Sequence, residues 1–148
     1  MLASINNMRA VTKLCQAKEP LPEMLASWLA NSLESFLEQR AESLNDAFGL
    51  RNARGGVPWR MEAKMRARDA ALRRLAAQHF GELPPSARAA RIHQLSVRYA
   101  ASSWRFDRTH DRMPAGYEGT PHEWLWGAFK SGAAMPLGVR QLRTILGP

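Results

Sequence analysis

Apolar residues along this chain recur at steps of three and four, no piece alternates with period two, and Pro and Gly punctuate the pattern. The breaks fall at residues 19–22, 49–58, 81–85, 107–119 and 132–136, which leaves helix-sized pieces between and around them. This predicts an all-α fold: a compact bundle of about five helices, closed by a C-terminal helical hairpin, forming a single domain over 1–148. No internal repeat or low-complexity segment interrupts it.

The first piece, about 5–17, spaces Ile5, Met8, Val11 and Cys15 helically, and residues 1–20 read as an N-terminal arm or short helix. The second, 22–48, reads as one long helix. Leu25, Trp28, Leu29, Leu33, Phe36, Leu37, Leu44 and Phe48 form its apolar stripe, Pro22 suits a first turn and Gly49 a stop. Glu34, Glu38 and Glu42 step along by four as a solvated acidic edge.

The third helix, 58–80, places Met61, Met65, Leu72, Leu75 and Ala76 on one arc, with the methionines expected in the core. Arg68 and His79 fall on the same arc. An unpaired buried guanidinium costs several kcal/mol, so Arg68 is expected to snorkel or to pair with Glu42 or Asp46 across a hairpin. The fourth helix, 85–106, turns Ile92, Leu95 and Tyr99 inward with a shoulder of Ala89 and Ala100. On it Arg91, Arg98 and Arg105 repeat every seven residues, about 10 Å apart along one side. Such a row either meets successive phosphates or is a solvated face.

Residues 120–148 form the expected hairpin. Thr120 and Glu123 make a capping box with Pro121 at the first helical position, and Gly132 stops the helix. A last helix starts at Pro136 with Val139, Leu142, Ile145 and Leu146 inward and Arg140, Gln141, Arg143 and Thr144 outward. Two short helices joined through a glycine resemble a helix-turn-helix, and Ala128 and Gly132 have the spacing of that motif. The pattern departs at Gly138, where a branched apolar residue is expected, and Pro136 shifts the second helix by about one residue. The resemblance implies Arg140 on guanine O6 and N7, Gln141 on adenine N6 and N7, and Arg143 on a phosphate. The other reading is an ordinary hairpin that closes the domain with Trp124, Leu125, Ala128 and Phe129 in the core.

Charge sharpens the picture. The formal net charge is +8, from 21 basic and 13 acidic residues, and the middle of the chain carries the excess: 51–108 hold thirteen basic and four acidic residues, net +9. Self-repulsion of that kind suits a polyanionic partner. The stretch RNARGGVPWR belongs to this block. It lacks the G-K-[ST] ending of a P-loop and follows a helix, so it is a turn. Its Arg51, Arg54 and Arg60 extend the positive face of the third and fourth helices, with phosphate contact as a secondary role.

Catalytic and metal-binding constellations are thin. His79, His93, His110 and His122 show no ligand spacing, a single Cys15 builds neither a zinc knuckle nor an internal disulfide, and no metal or cofactor is implied. His110 and Asp111 are the one acid–base pair available, inside a 107–119 loop that is either mobile or an arm contacting ligand through Arg108, Arg112 and Tyr117. The expected role is therefore not enzymatic. With no apolar run near the roughly 18 residues of a membrane span and no signal segment, a soluble cytoplasmic protein is expected, and the Arg- and Ala-rich composition reads as bacterial or phage-like. The sequence favours a DNA-binding accessory or regulatory protein that uses a basic helical face. The alternative is a protein-interaction module or inhibitor that docks this face on an acidic protein surface. Five tryptophans leave room for a homodimer.

Overall fold

The computed structural model describes residues 2–51 and 56–148, and every described element is helical. Eight α-helices and one 3-10 turn occur among the described residues: α1 (Leu2–Gln16), α2 (Glu23–Leu37), α3 (Leu44–Ala47), α4 (Trp59–His79), α5 (Pro85–Ala101), α6 (Trp104–Asp107), the 3-10 turn Ala115–Tyr117, α7 (Pro121–Lys130) and α8 (Val139–Leu146). The chain divides into two units, Met1–Trp59 and Arg60–Pro148.

In the first unit, the segment expected as one long helix is two. After α2 the chain turns with Gln39 at φ 58°, while the amides of Gln39 and Arg40 donate back to the carbonyls of Phe36 (3.1 Å) and Ser35 (2.9 Å). That is a Schellman closure with glutamine in the left-handed position. Ser43 then starts α3 by accepting the Asp46 amide at 3.2 Å, and the Asp46 carboxylate takes the Glu42 amide at 3.3 Å. The local capping bonds compete with helix continuation, and packing decides the outcome. Trp28 and Phe48 are twenty residues apart, about 30 Å along a straight helix, yet their rings lie 5.3 Å apart. The fold-back buries Leu25, Ala41 and Leu50 but leaves Leu33, Phe36, Leu37 and Leu44 exposed, so only part of the predicted stripe is core.

The second unit owns the larger core. Leu72 and Leu75 of α4, Ile92 and Tyr99 of α5, Leu125 of α7 and Leu142 of α8 are fully buried, each worth roughly 1.5–3 kcal/mol for an aliphatic side chain. The inward residues of α4, α5, α7 and α8 follow the predicted periods, with three corrections. Met61 and Met65 are exposed, Ala100 is exposed, and α5 ends at Ala101 because Ser102 (φ −118°, ψ −101°) leaves helical space. The chain re-enters a short helix, α6, whose Trp104 packs on Phe129 at 5.3 Å.

Arginines close several helix ends here. Arg73 Nε donates to the Ile145 carbonyl in the last turn of α8 (2.9 Å), and Arg88 donates to the carbonyls of Phe80, Gly81 and Leu83 beyond the end of α4. These bonds satisfy acceptors that a helix terminus leaves open. Arg68 is buried as its position on the arc requires, but its partners are the neighbouring Asp69 (2.8 Å) and the backbone carbonyl of Ala134, not Glu42 or Asp46. The 131–138 connection supplies an acceptor at the point where the guanidinium needs one.

Candidate nucleic-acid interface

The whole formal excess of charge lies in the second unit. Residues 60–148 carry fifteen basic and seven acidic side chains (net +8), and residues 1–59 carry six of each. Four of those seven acidic groups are already engaged. Glu62 pairs with Arg66, Asp69 with Arg68, Asp107 accepts two phenols, and Glu123 accepts the Gly119 amide at 2.8 Å.

The site residues expected from sequence divide into groups. Arg91 and Arg98 stand on the exposed strip of α5, where Ala87, Ala90, Gln94 and Ala101 also face solvent. The Arg91 guanidinium donates to Gln94 Oε1 at 3.0 Å, a neutral partner that leaves its charge uncompensated. Arg105, expected to extend this row, is exposed on α6 instead, beyond the backbone break at Ser102, so the seven-residue repeat does not continue onto one helix face.

On α8, Arg140 and Arg143 are exposed and lie with Thr144 along a cleft of about 570 Å³ that also includes Pro85, the first residue of α5. Pro84 precedes it as a cap residue with no side-chain hydrogen bond, so the opening amides of α5 have no side-chain acceptor there. Two guanidinium groups beside a helix N-terminus form an electropositive recess. Gln141 is exposed, but its Oε1 accepts the Leu137 amide at 3.2 Å, so this side chain closes its own helix and is half-spent as a base reader.

The remaining expected contacts lie elsewhere. Arg51 belongs to the first unit and pairs with Glu42 at 2.9 Å and Asp46 at 3.9 Å. Arg54 lies outside the described residues. Arg60 is exposed in the first turn of α4.

The C-terminal hairpin differs in detail from its sequence expectation. Eight residues join α7 to α8, where a helix-turn-helix has a turn of three or four, and α8 packs on α5. The final helix starts at Val139, three residues after Pro136. At the start of α7 the Thr120 hydroxyl donates to the Tyr117 carbonyl (2.7 Å), leaving the Glu123 carboxylate to accept from Gly119 in place of the predicted box.

The 107–119 loop is pinned. Tyr117, expected to reach outward, points its hydroxyl at Asp107 Oδ2 (2.6 Å), which also accepts from Tyr99 (2.8 Å). Burial first, then the hydrogen bond to the Asp107 carboxylate, pushes both phenols above their ordinary pKa of 10.0. Lys130 Nζ donates to the carbonyls of Arg108 and His110. His110 and Asp111 are both exposed on this tethered segment. Among the described residues no group of three or more His, Cys, Asp or Glu side chains could hold a metal ion, and no helix is long and apolar enough to cross a membrane.

Sequence reasoning missed the indole pair of α7. Trp124 carries Arg74 over its ring at 5.3 Å and donates to Gln78 at 2.8 Å, and Trp126 carries Lys130 at 5.8 Å. The signal was the Trp-Leu-Trp spacing, since a helix buries only Leu125 of the three and leaves its neighbours on the flanks. No protein-family model matches the chain, nor does any curated protein or solved structure.

Proposed function

We propose that the second unit binds nucleic acid, gripping the phosphate backbone of duplex DNA through Arg91 and Arg98 of α5 and Arg140 and Arg143 of α8, as an accessory or regulatory protein. The observation that carries this reading is the mismatch of charge within the unit. Among the described residues these four exposed guanidinium groups have no carboxylate partner, while Glu62 and Asp69, two of the unit's seven acidic side chains, are paired with Arg66 and Arg68. Phosphate is the ligand that fits guanidinium forks whose charge no carboxylate compensates. Within this reading Gln141 contributes little base contact because its carbonyl oxygen is engaged.

Anisotropy of a labelled duplex at several salt concentrations tests it. Four phosphate contacts give a slope of log K against log salt of about −3.6. No binding at low salt removes the reading.

A second reading concerns the first unit. Met24, Leu33, Phe36 and Leu37 of α2 are exposed, Met24 and Leu37 by about three-quarters, which favours a protein partner for that helix. A complex that forms after nuclease treatment, and that Leu37→Glu abolishes, supports it.

A further inference from the structure

A groove of about 440 Å³ runs between α4 and α7. Its floor is small: Ala67, Ala70, Ala71 and Gly127. Trp124 and Trp126 stand along it with Met113 from the pinned loop, and Arg74 and Glu123 supply its charged edges. Each indole has a cation over its ring, Arg74 on Trp124 and Lys130 on Trp126. The lysine is held in place by two backbone carbonyls. The Nε1 donor of Trp126 is buried and has no acceptor among the described residues.

We infer that this groove takes an unpaired base of a single-stranded nucleic acid. The inference rests on the nucleic-acid reading of the second unit and adds a distinct site to it. An aromatic ring needs a slot with a flat wall and no side chain filling it. The alanine and glycine floor leaves the slot open, and the indoles are the wall. Stacking tolerates every base because each has a π-face, and cations beside the rings add attraction for the flanking phosphates. The Glu123 carboxylate on the same lining repels phosphate, so a base, and not the backbone, is what enters. The unit's net charge of +8 is complementary to the strand that would carry that base.

The test compares a short oligo(dT) with a duplex of the same length, read by indole fluorescence and by anisotropy. Ala70 is exposed and helical, so Ala70→Leu fills the slot without touching the core or the helix. Expected is quenching by oligo(dT), with affinity about tenfold weaker in Ala70→Leu and in Trp124→Leu, and duplex binding changed by less than about twofold. Oligo(dT) affinity unchanged in Ala70→Leu overturns the inference, as does a wild type that binds duplex but not oligo(dT). Failure of both ligands overturns it together with the nucleic-acid reading. A concentration-dependent doubling of mass that Ala70→Leu abolishes assigns the groove to a second copy of the chain and also overturns it.

Discussion

The hydroxyl of Tyr99 donates to Oδ2 of Asp107 at 2.8 Å, tying the last turn of α5 to the end of α6 across the backbone break at Ser102. Tyr117 donates to the same oxygen, so one buried carboxylate holds α5, α6 and the 3-10 turn together. Asp107→Ala strands the buried Tyr99 donor and frees the half-buried Tyr117 one, and an unsatisfied buried group costs about 1–3 kcal/mol. The expected loss is at the upper end of that range, while Tyr117→Phe alone costs about 1 kcal/mol; urea unfolding followed by near-UV circular dichroism measures both.

The same cluster sets an alkaline limit. Both phenols have folded-state pKa values above the unfolded value of 10.0, so above about pH 10 the unfolded chain releases protons that the native state retains. The stability they contribute is complete below that pH and is lost as pH rises through the folded values. The urea midpoint is expected to fall above about pH 10, and Tyr99→Phe is expected to flatten that fall relative to its own value at pH 8. An equal slope in wild type and variant would count against the cluster.

Arg68 and Arg66 sit two residues apart on α4 and differ in every respect that matters to energy. Arg68 is 5% exposed and holds Asp69 and the Ala134 carbonyl; Arg66 is exposed and holds Glu62 one turn away. Arg68→Ala is expected to cost about 3–5 kcal/mol, because it leaves a carboxylate and a carbonyl without their donor. Arg66→Ala costs less than about 0.5 kcal/mol, as exposed i,i+4 pairs do. Similar losses from the two in chemical denaturation would contradict this assignment.

Among the cations of the proposed interface, removal of one phosphate contact is expected to reduce the salt slope by about one. Arg140→Ala and Arg143→Ala are each expected to do so in the anisotropy titration. Arg51→Ala is expected to leave slope and affinity unchanged, since its guanidinium is held by Glu42 and Asp46 in the other unit.

Gln39→Gly is expected to stabilise the first unit by about 1 kcal/mol, because a β-carbon at φ 58° carries strain that glycine lacks. A rise in the thermal midpoint checks it; a fall would mean that the glutamine side chain contributes more than its backbone costs.

The sequence by itself determined the helical class and most of the inner face of α4, α5, α7 and α8. Steps of three and four among Leu72, Leu75, Ile92, Tyr99, Leu125 and Leu142 are set by the 3.6-residue turn, and a residue carries that periodicity wherever its helix ends up. The Pro and Gly breaks at 81–85 and 107–119 and the basic middle were legible for the same local reason. Tertiary structure alone decided which partners meet. The fold-back that brings Phe48 to Trp28, the choice of Asp69 and Ala134 by Arg68, the inward turn of Tyr117 and the placing of Arg74 over Trp124 all join residues whose spacing along the chain encodes no distance. A charge pattern likewise fixes how many guanidinium groups exist, but only packing settles which are spent on helix ends, as Arg73 and Arg88 are, and which, like Arg140 and Arg143, remain exposed.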